Sequence, residues 1–149
     1  MNIADIPFVI THYAKLTDRR AYLDAAFAKF GVTPHWITDG DAQTMTVDQI
    51  NKFYQYEPAG RSRTWQEGVK PRLSEAAISC GIKHVLAHQL IAREGWPMAV
   101  VLEDDVRFCT DFETRFPKFV SSLPADWDCA LFGSATTALR NCTGSMGTG

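Results

Sequence analysis

The sequence predicts an α/β fold with a mostly parallel sheet, and three segments carry that expectation. Residues 6–10 are apolar and β-prone, a stretch with helical periodicity follows, and His35-Trp36-Ile37-Thr38 is β-prone again. Strand, helix and strand in so short a span make a βαβ unit. A long helix-period segment then leads into Met98-Ala99-Val100-Val101-Leu102, a third β-prone run that ends in three consecutive carboxylates, Glu103-Asp104-Asp105.

Taken in order, Ile6-Pro7-Phe8-Val9-Ile10 reads as the first and central strand. A polar loop leads to a helix capped by Thr17 or Asp18, with Tyr22, Leu23, Ala26, Phe27 and Phe30 at helical spacing and Gly31 as its stop. The second strand closes at Asp39-Gly40-Asp41. Thr46-Val47-Asp48-Gln49 has the capping-box pattern and opens a short helix reaching Phe53. Residues 54–72, with Pro58, Gly60, Gly68 and Pro71, read as an irregular loop of a length that is usually functional or mobile. Ser74 caps a long helix to Glu94, whose buried stripe is Ile78, Ile82, Val85, Leu86 and Leu90, and Gly95 and Pro97 end it. Thr110 and Glu113 form another capping box for a helix bearing Phe112, Phe116 and Phe119, which Pro117 is expected to kink or break. Residues 128–133 read as one more strand. Residues 1–133 are therefore expected to form one domain, and residues 134–149, small and polar, a flexible tail or truncation end.

A chain of 149 residues is long enough for a real core. Its 46% hydrophobic and 21% charged residues and net charge of −2 are ordinary for a globular protein and give no reason to expect a nucleic-acid partner. One basic group, Arg61, Arg63, Lys70 and Arg72, interleaved with Tyr54, Tyr56 and Trp65, reads as a solvated loop or an anionic-substrate loop. The N-terminus lacks a basic-then-apolar leader, and no apolar run is long enough to span a bilayer. Four widely spaced cysteines without a C-x-x-C pair read as reduced thiols, so the expected compartment is the cytoplasm.

Three adjacent acids repel one another unless water, basic groups or a cation offsets them. At the C-terminal end of a parallel strand, where open α/β sheets place their ligands, a hard divalent cation is one explanation. An acidic turn that meets solvent is the other. On the long helix His84 and His88 are four apart, with Cys80 one turn earlier, a spacing that can share a metal. That helix supplies no acidic partner for them, so His88 reads as a surface residue; the neighbouring Lys83 reads as solvated, with contact to an anionic ligand as the alternative. Neither a nucleophile–base pattern nor a P-loop or G-x-G-x-x-G fingerprint is present, which disfavours covalent catalysis, ATPase and dinucleotide readings.

Three blocks give the chain a resemblance to family 25 glycosyltransferases, the group that includes lipooligosaccharide and collagen galactosyltransferases. They are Phe8-Val9-Ile10 through Thr17-Asp18-Arg19-Arg20 with the helix that follows, Leu73-Ser74-Glu75 through Cys80-Gly81-Ile82-Lys83-His84, and Ala99-Val100-Val101-Leu102-Glu103-Asp104-Asp105-Val106. Lys83 stands where that family usually has a serine. The resemblance implies a GT-A-like nucleotide-sugar transferase fold. It also implies that the acceptor-binding half, with the catalytic base, lies beyond this chain's end, so no catalytic residue is assigned.

In that fold a divalent cation, Mn²⁺ or Mg²⁺, would bridge the donor's diphosphate. Strand alternation would put Glu103 and Asp105 on one face, with Asp105 the first-choice ligand, Glu103 binding directly or through water, and Asp104 turned away toward sugar or ribose hydroxyls. By resemblance Thr11, His12, Asp18 and Arg19 are candidate donor contacts, although a helix-start acid and a solvated base explain Asp18 and Arg19 equally well. Asp39 before Gly40 is a further candidate, or a plain turn. His84 is read as a donor-site or structural hydrogen-bonding residue facing the carboxylate strand. The function so implied is metal-dependent transfer of galactose from UDP-galactose to a lipopolysaccharide, lipooligosaccharide or related glycan, in the cytoplasm or at the periphery of the inner membrane. Two alternatives stay open: a non-catalytic nucleotide-sugar-binding module, and a metal-dependent phosphohydrolase.

Overall fold

The computed structural model describes residues 2–54 and 73–133. The expected loop with its basic group, beyond Tyr54, and the expected tail lie outside the described residues. The described residues divide into two compact units, one within residues 2–106 and one within residues 107–133.

The first unit is built on three parallel strands, β1 (Phe8–Thr11), β2 (His35–Ile37) and β3 (Val100–Glu103), in the order β2-β1-β3. Phe8, Val9 and Ile10 are wholly buried, as an unbroken apolar run must be in a central parallel strand. The ladder begins at Phe8, not at Ile6, because Pro7 has no N–H to donate; its carbonyl still accepts from the Val100 amide at 2.9 Å. Thr11 pairs with Ile37 on one side and Glu103 on the other, so the strand ends are level. The chain leaves β1 for one neighbour and returns on its other side. The β1/β3 edge is therefore a topological switch point, where open α/β sheets form a crevice.

Helix α1 (Thr17–Lys29) packs Leu23 and Phe27 into the core, with the Phe27 ring edge-on to Phe8 at 5.2 Å. Its N-cap position is Leu16, with no side-chain cap, so the helix starts one or two residues earlier than the sequence suggests and Thr17 and Asp18 lie inside the first turn. Helix α2 (Val47–Phe53) carries the expected capping box between Thr46 and Gln49. Helix α3 (Glu75–Glu94) starts at Ser74, whose hydroxyl accepts from the Ala77 amide, and ends on Gly95 at φ 67°.

The buried face of α3 differs from the apolar stripe. Ile78 and Ile82 are buried and join Ile50 in a small cluster, but Val85 is 41% exposed. Ser79, Lys83 and Ala87 are buried in its place. They are one turn apart and line up along the helix. Small residues either side of Lys83 leave room for its stem, and the sheet edge supplies polar partners for its head.

In the second unit α4 (Phe112–Ser121) presents Phe112 and Phe116, stacked at 5.2 Å, to Phe108 and Phe132. Its N-cap position is Asp111 without a side-chain cap, so the expected Thr110–Glu113 box does not form. The strand expected at residues 128–133 is absent. Cys129 is exposed and Leu131 is 92% exposed, and β-propensity without a ladder partner does not make a strand. No helix among the described residues is long and apolar enough to cross a membrane.

Two glycines test this packing in opposite directions. Gly40 has φ 88°, and a Cβ there would sit 3.1 Å from Ile82 Cγ2, whereas a Cβ on helical Gly81 meets nothing within 4 Å. Gly40→Ala is expected to lower stability by about 1–3 kcal/mol. Gly81→Ala is expected to raise it by up to about 1 kcal/mol, both measured by urea denaturation.

Candidate functional site

An open cleft of about 560 Å³ lies at the carboxyl ends of β1 and β3, walled by the loop after β1, the start of α1 and one face of α3. Its floor is a hydrogen-bonded cluster around Asp104. Strand geometry stops at Glu103, and Asp104 and Asp105 form a turn. The chain's change of direction buries Asp104, at 7% exposure, and leaves Glu103 and Asp105 exposed. Asp104 Oδ2 accepts from His12 Nδ1 at 2.8 Å and from the Tyr13 amide at 3.1 Å, and Oδ1 accepts from Arg19 at 2.6 Å. A carboxylate can only accept, so the His12 proton resides on Nδ1. Burial alone would raise the Asp104 carboxyl, but donation from Arg19, the Tyr13 amide and His12 outweighs it and holds the group below the usual carboxylate range. The same bond to Asp104 raises Arg19.

Asp104 was expected to turn toward sugar or ribose hydroxyls; in the structure its partners are groups of the chain itself, and it ties the end of β3 to the loop after β1 and to α1. His12 is buried with it, its amide donating to the Ile37 carbonyl at 2.9 Å and its ring edge-on to Trp36 at 5.2 Å. Thr11 is also buried, its hydroxyl 3.4 Å from the Leu102 carbonyl. Arg19 is half-buried on the cleft wall. Asp18, Asp39 and Asp105 are exposed and are not among the described residues that line the cleft, whereas Glu103 is.

A second buried pair supports the loop from below. Lys83 reaches from α3 to Asp41 and to the His12 carbonyl, and Asp41 also accepts from the Ala14 amide at 3.3 Å. Lys83 is 4% exposed and Asp41 7%, which corrects the expectation of a solvated Lys83. Ser79, one turn earlier, donates to the Gly40 carbonyl at 2.7 Å. Asp41 is the residue that sequence reasoning missed. Its signal was Asp39-Gly40-Asp41: a left-handed glycine turns the chain so that the acid after it, not the one before, points inward.

On the far side of the cleft His84 Nε2 lies 3.4 Å from Glu103 Oε1, so the helix does face the carboxylate strand there. Cys80, one turn earlier, is pushed up by burial and by the Glu103 carboxylate. His88 is exposed and donates through Nδ1 to the His84 carbonyl at 2.7 Å.

A buried ion pair broken on one side leaves an uncompensated charge. Lys83→Met and Asp41→Asn are each expected to cost about 3–5 kcal/mol by urea denaturation, with the double variant costing clearly less than the sum. Additive costs would show that the two side chains do not act as a pair.

Comparison with curated proteins gives no match, and comparison with solved structures gives none. The family model described as glycosyltransferase family 25 (LPS biosynthesis protein) matches residues 7–141, which takes in all three strands, the Asp104 cluster and both walls of the cleft. With an open parallel sheet whose switch point carries a cleft floored by buried polar groups, and an acidic strand end, the chain belongs to glycosyltransferase family 25.

Proposed function

We propose that the cleft binds a nucleotide-diphosphate sugar, UDP-galactose in the first instance, in a GT-A-like manner, and that the sugar passes to a hydroxyl of a lipopolysaccharide or lipooligosaccharide glycan with inversion. The observation that carries this reading is the split of the acid triplet. Asp104 is committed to the chain's own donors, while Glu103 and Asp105 flank it as exposed carboxylates. Two exposed oxygen donors beside a cleft fit a hard divalent ion, Mn²⁺ or Mg²⁺, and Glu103 and Asp105 would hold it. Such an ion would offset the charge of a leaving diphosphate.

The chain's own groups complete the reading. Arg19 spends one donor on Asp104, which fixes its orientation, and its planar fork leaves further N–H groups for phosphate oxygens. The Asp104 cluster and the Lys83–Asp41 pair hold the loop after β1 in place before any ligand arrives, which lowers the ordering cost of binding. Thr11 and His12 shape the floor under the nucleotide.

Isothermal titration of the full chain with UDP and UDP-galactose, with and without Mn²⁺, tests this. Binding is expected to require Mn²⁺ and to be lost in Asp105→Ala. Arg19→Ala is expected to weaken it by roughly tenfold or more, the worth of one charged hydrogen bond. Equal affinity in wild type and Asp105→Ala, or affinity indifferent to Mn²⁺, would overturn the reading.

A further inference from the structure

We propose that Cys80, His84 and Glu103 form a three-ligand site for a borderline divalent ion of the Zn²⁺ class, with its fourth position open to the cleft. Among the described residues these three bring Sγ, an imidazole nitrogen and a carboxylate oxygen within 4.8 Å of one another. Cys80 and His84 are one helical turn apart on α3, and Glu103 is the last residue of β3, held in register by its pairing with Thr11. Two rigid elements thus supply the ligands, and the acid missing from the helix comes from the strand.

The spacing suits the ion. Zn²⁺ bonds of about 2.0–2.3 Å to oxygen, nitrogen and sulfur give tetrahedral edges of roughly 3.3–3.6 Å. His84 Nε2 and Glu103 Oε1 already stand 3.4 Å apart. The His84 and Glu103 side chains are 34% and 55% exposed, so small rotations bring the set onto one centre. A thiolate and an imidazole select Zn²⁺ over Mn²⁺ or Mg²⁺, which prefer all-oxygen donors. Cys80 and Glu103 both line the cleft, which leaves the remaining coordination position toward bound solvent or substrate. On binding, the Cys80 thiol gives up its proton to solvent, one per ion. This site shares Glu103 with the proposed oxygen pair but does not depend on nucleotide chemistry.

Co²⁺ reports the site directly, because a cobalt–thiolate bond absorbs where oxygen-ligated cobalt does not. The full chain, kept reduced, is titrated with Co²⁺, and Zn²⁺ affinity is measured by competition with a chromogenic chelator. Expected are a one-to-one charge-transfer band that Zn²⁺ displaces, its loss in Cys80→Ser, and its persistence in Cys109→Ser, Cys129→Ser and Cys142→Ser. His84→Gln, at a partly exposed position that folding tolerates, is expected to weaken Zn²⁺ at least about tenfold. No band in wild type, a band retained in Cys80→Ser, or unchanged Zn²⁺ affinity in His84→Gln would overturn the proposal. Asp105→Ala separates the two readings, since it removes Mn²⁺-dependent UDP binding and leaves the cobalt band. A cobalt band without such UDP binding defeats only the donor-site reading; UDP binding without the band defeats only the zinc-class site.

Discussion

Asp104 joins parts of the chain that the sheet alone does not bind together. Its two oxygens take donors from the loop after β1 and from α1, so one buried carboxylate fixes where the first strand's exit loop lies relative to the third strand's end. Removing a buried charge from water costs several kcal/mol unless its lone pairs are filled, and here three donors fill them. The result is a cleft floor set by the protein itself. Arg19 on the wall and the loop after β1 take their position from that bond set, while Glu103 is held by its pairing with Thr11.

The same logic divides labour among the three acids. Adjacent carboxylates repel, and the turn at Asp104 relieves this by sending the middle one inward to a guanidinium and the outer two toward solvent. Below them, Lys83 and Asp41 satisfy each other and the His12 carbonyl, so the loop after β1 is held from both sides. Family 25 membership gives the chemistry as glycosyl transfer in LPS biosynthesis. The geometry adds that the loop after β1 is held by two ion pairs, one fully buried and one with a partly exposed arginine, each with a cost in desolvation.

Much of this fold was legible in the sequence because it rests on local signals. The apolar run around Phe8, the Thr46 capping box, Ser74 with Gly95, and the β-prone run before the acids each specify an element without help from the rest. The strand at residues 128–133 failed because pairing is not a local property: Leu131 has the right character and no ladder to join. Site residues split the same way. Thr11, His12 and Arg19 follow from the switch-point rule and the resemblance, and the structure brings them to the cleft. Lys83 was misread and Asp41 missed because each looks solvated by itself, and only the packing of α3 against the sheet edge makes them partners. Strand alternation also predicted one face for Glu103 and Asp105, but the strand ends at Glu103 and a turn decides the matter. Cys80 and His84 lacked an acid in their own helix, and the one they face arrives from β3.

The most direct test is a carboxyl-carbon NMR titration that follows Asp104 in the folded chain. The account predicts that it titrates below the ordinary aspartate value of about 3.9, and that Arg19→Ala moves it upward. The sign follows from linkage: Asp104 contributes its full stability above the unfolded-chain value and loses it as pH falls through the lower folded one. An Asp104 that titrates at or above the ordinary value, or one indifferent to Arg19, would mean that burial outweighs the donors and that the cleft floor is not held as described.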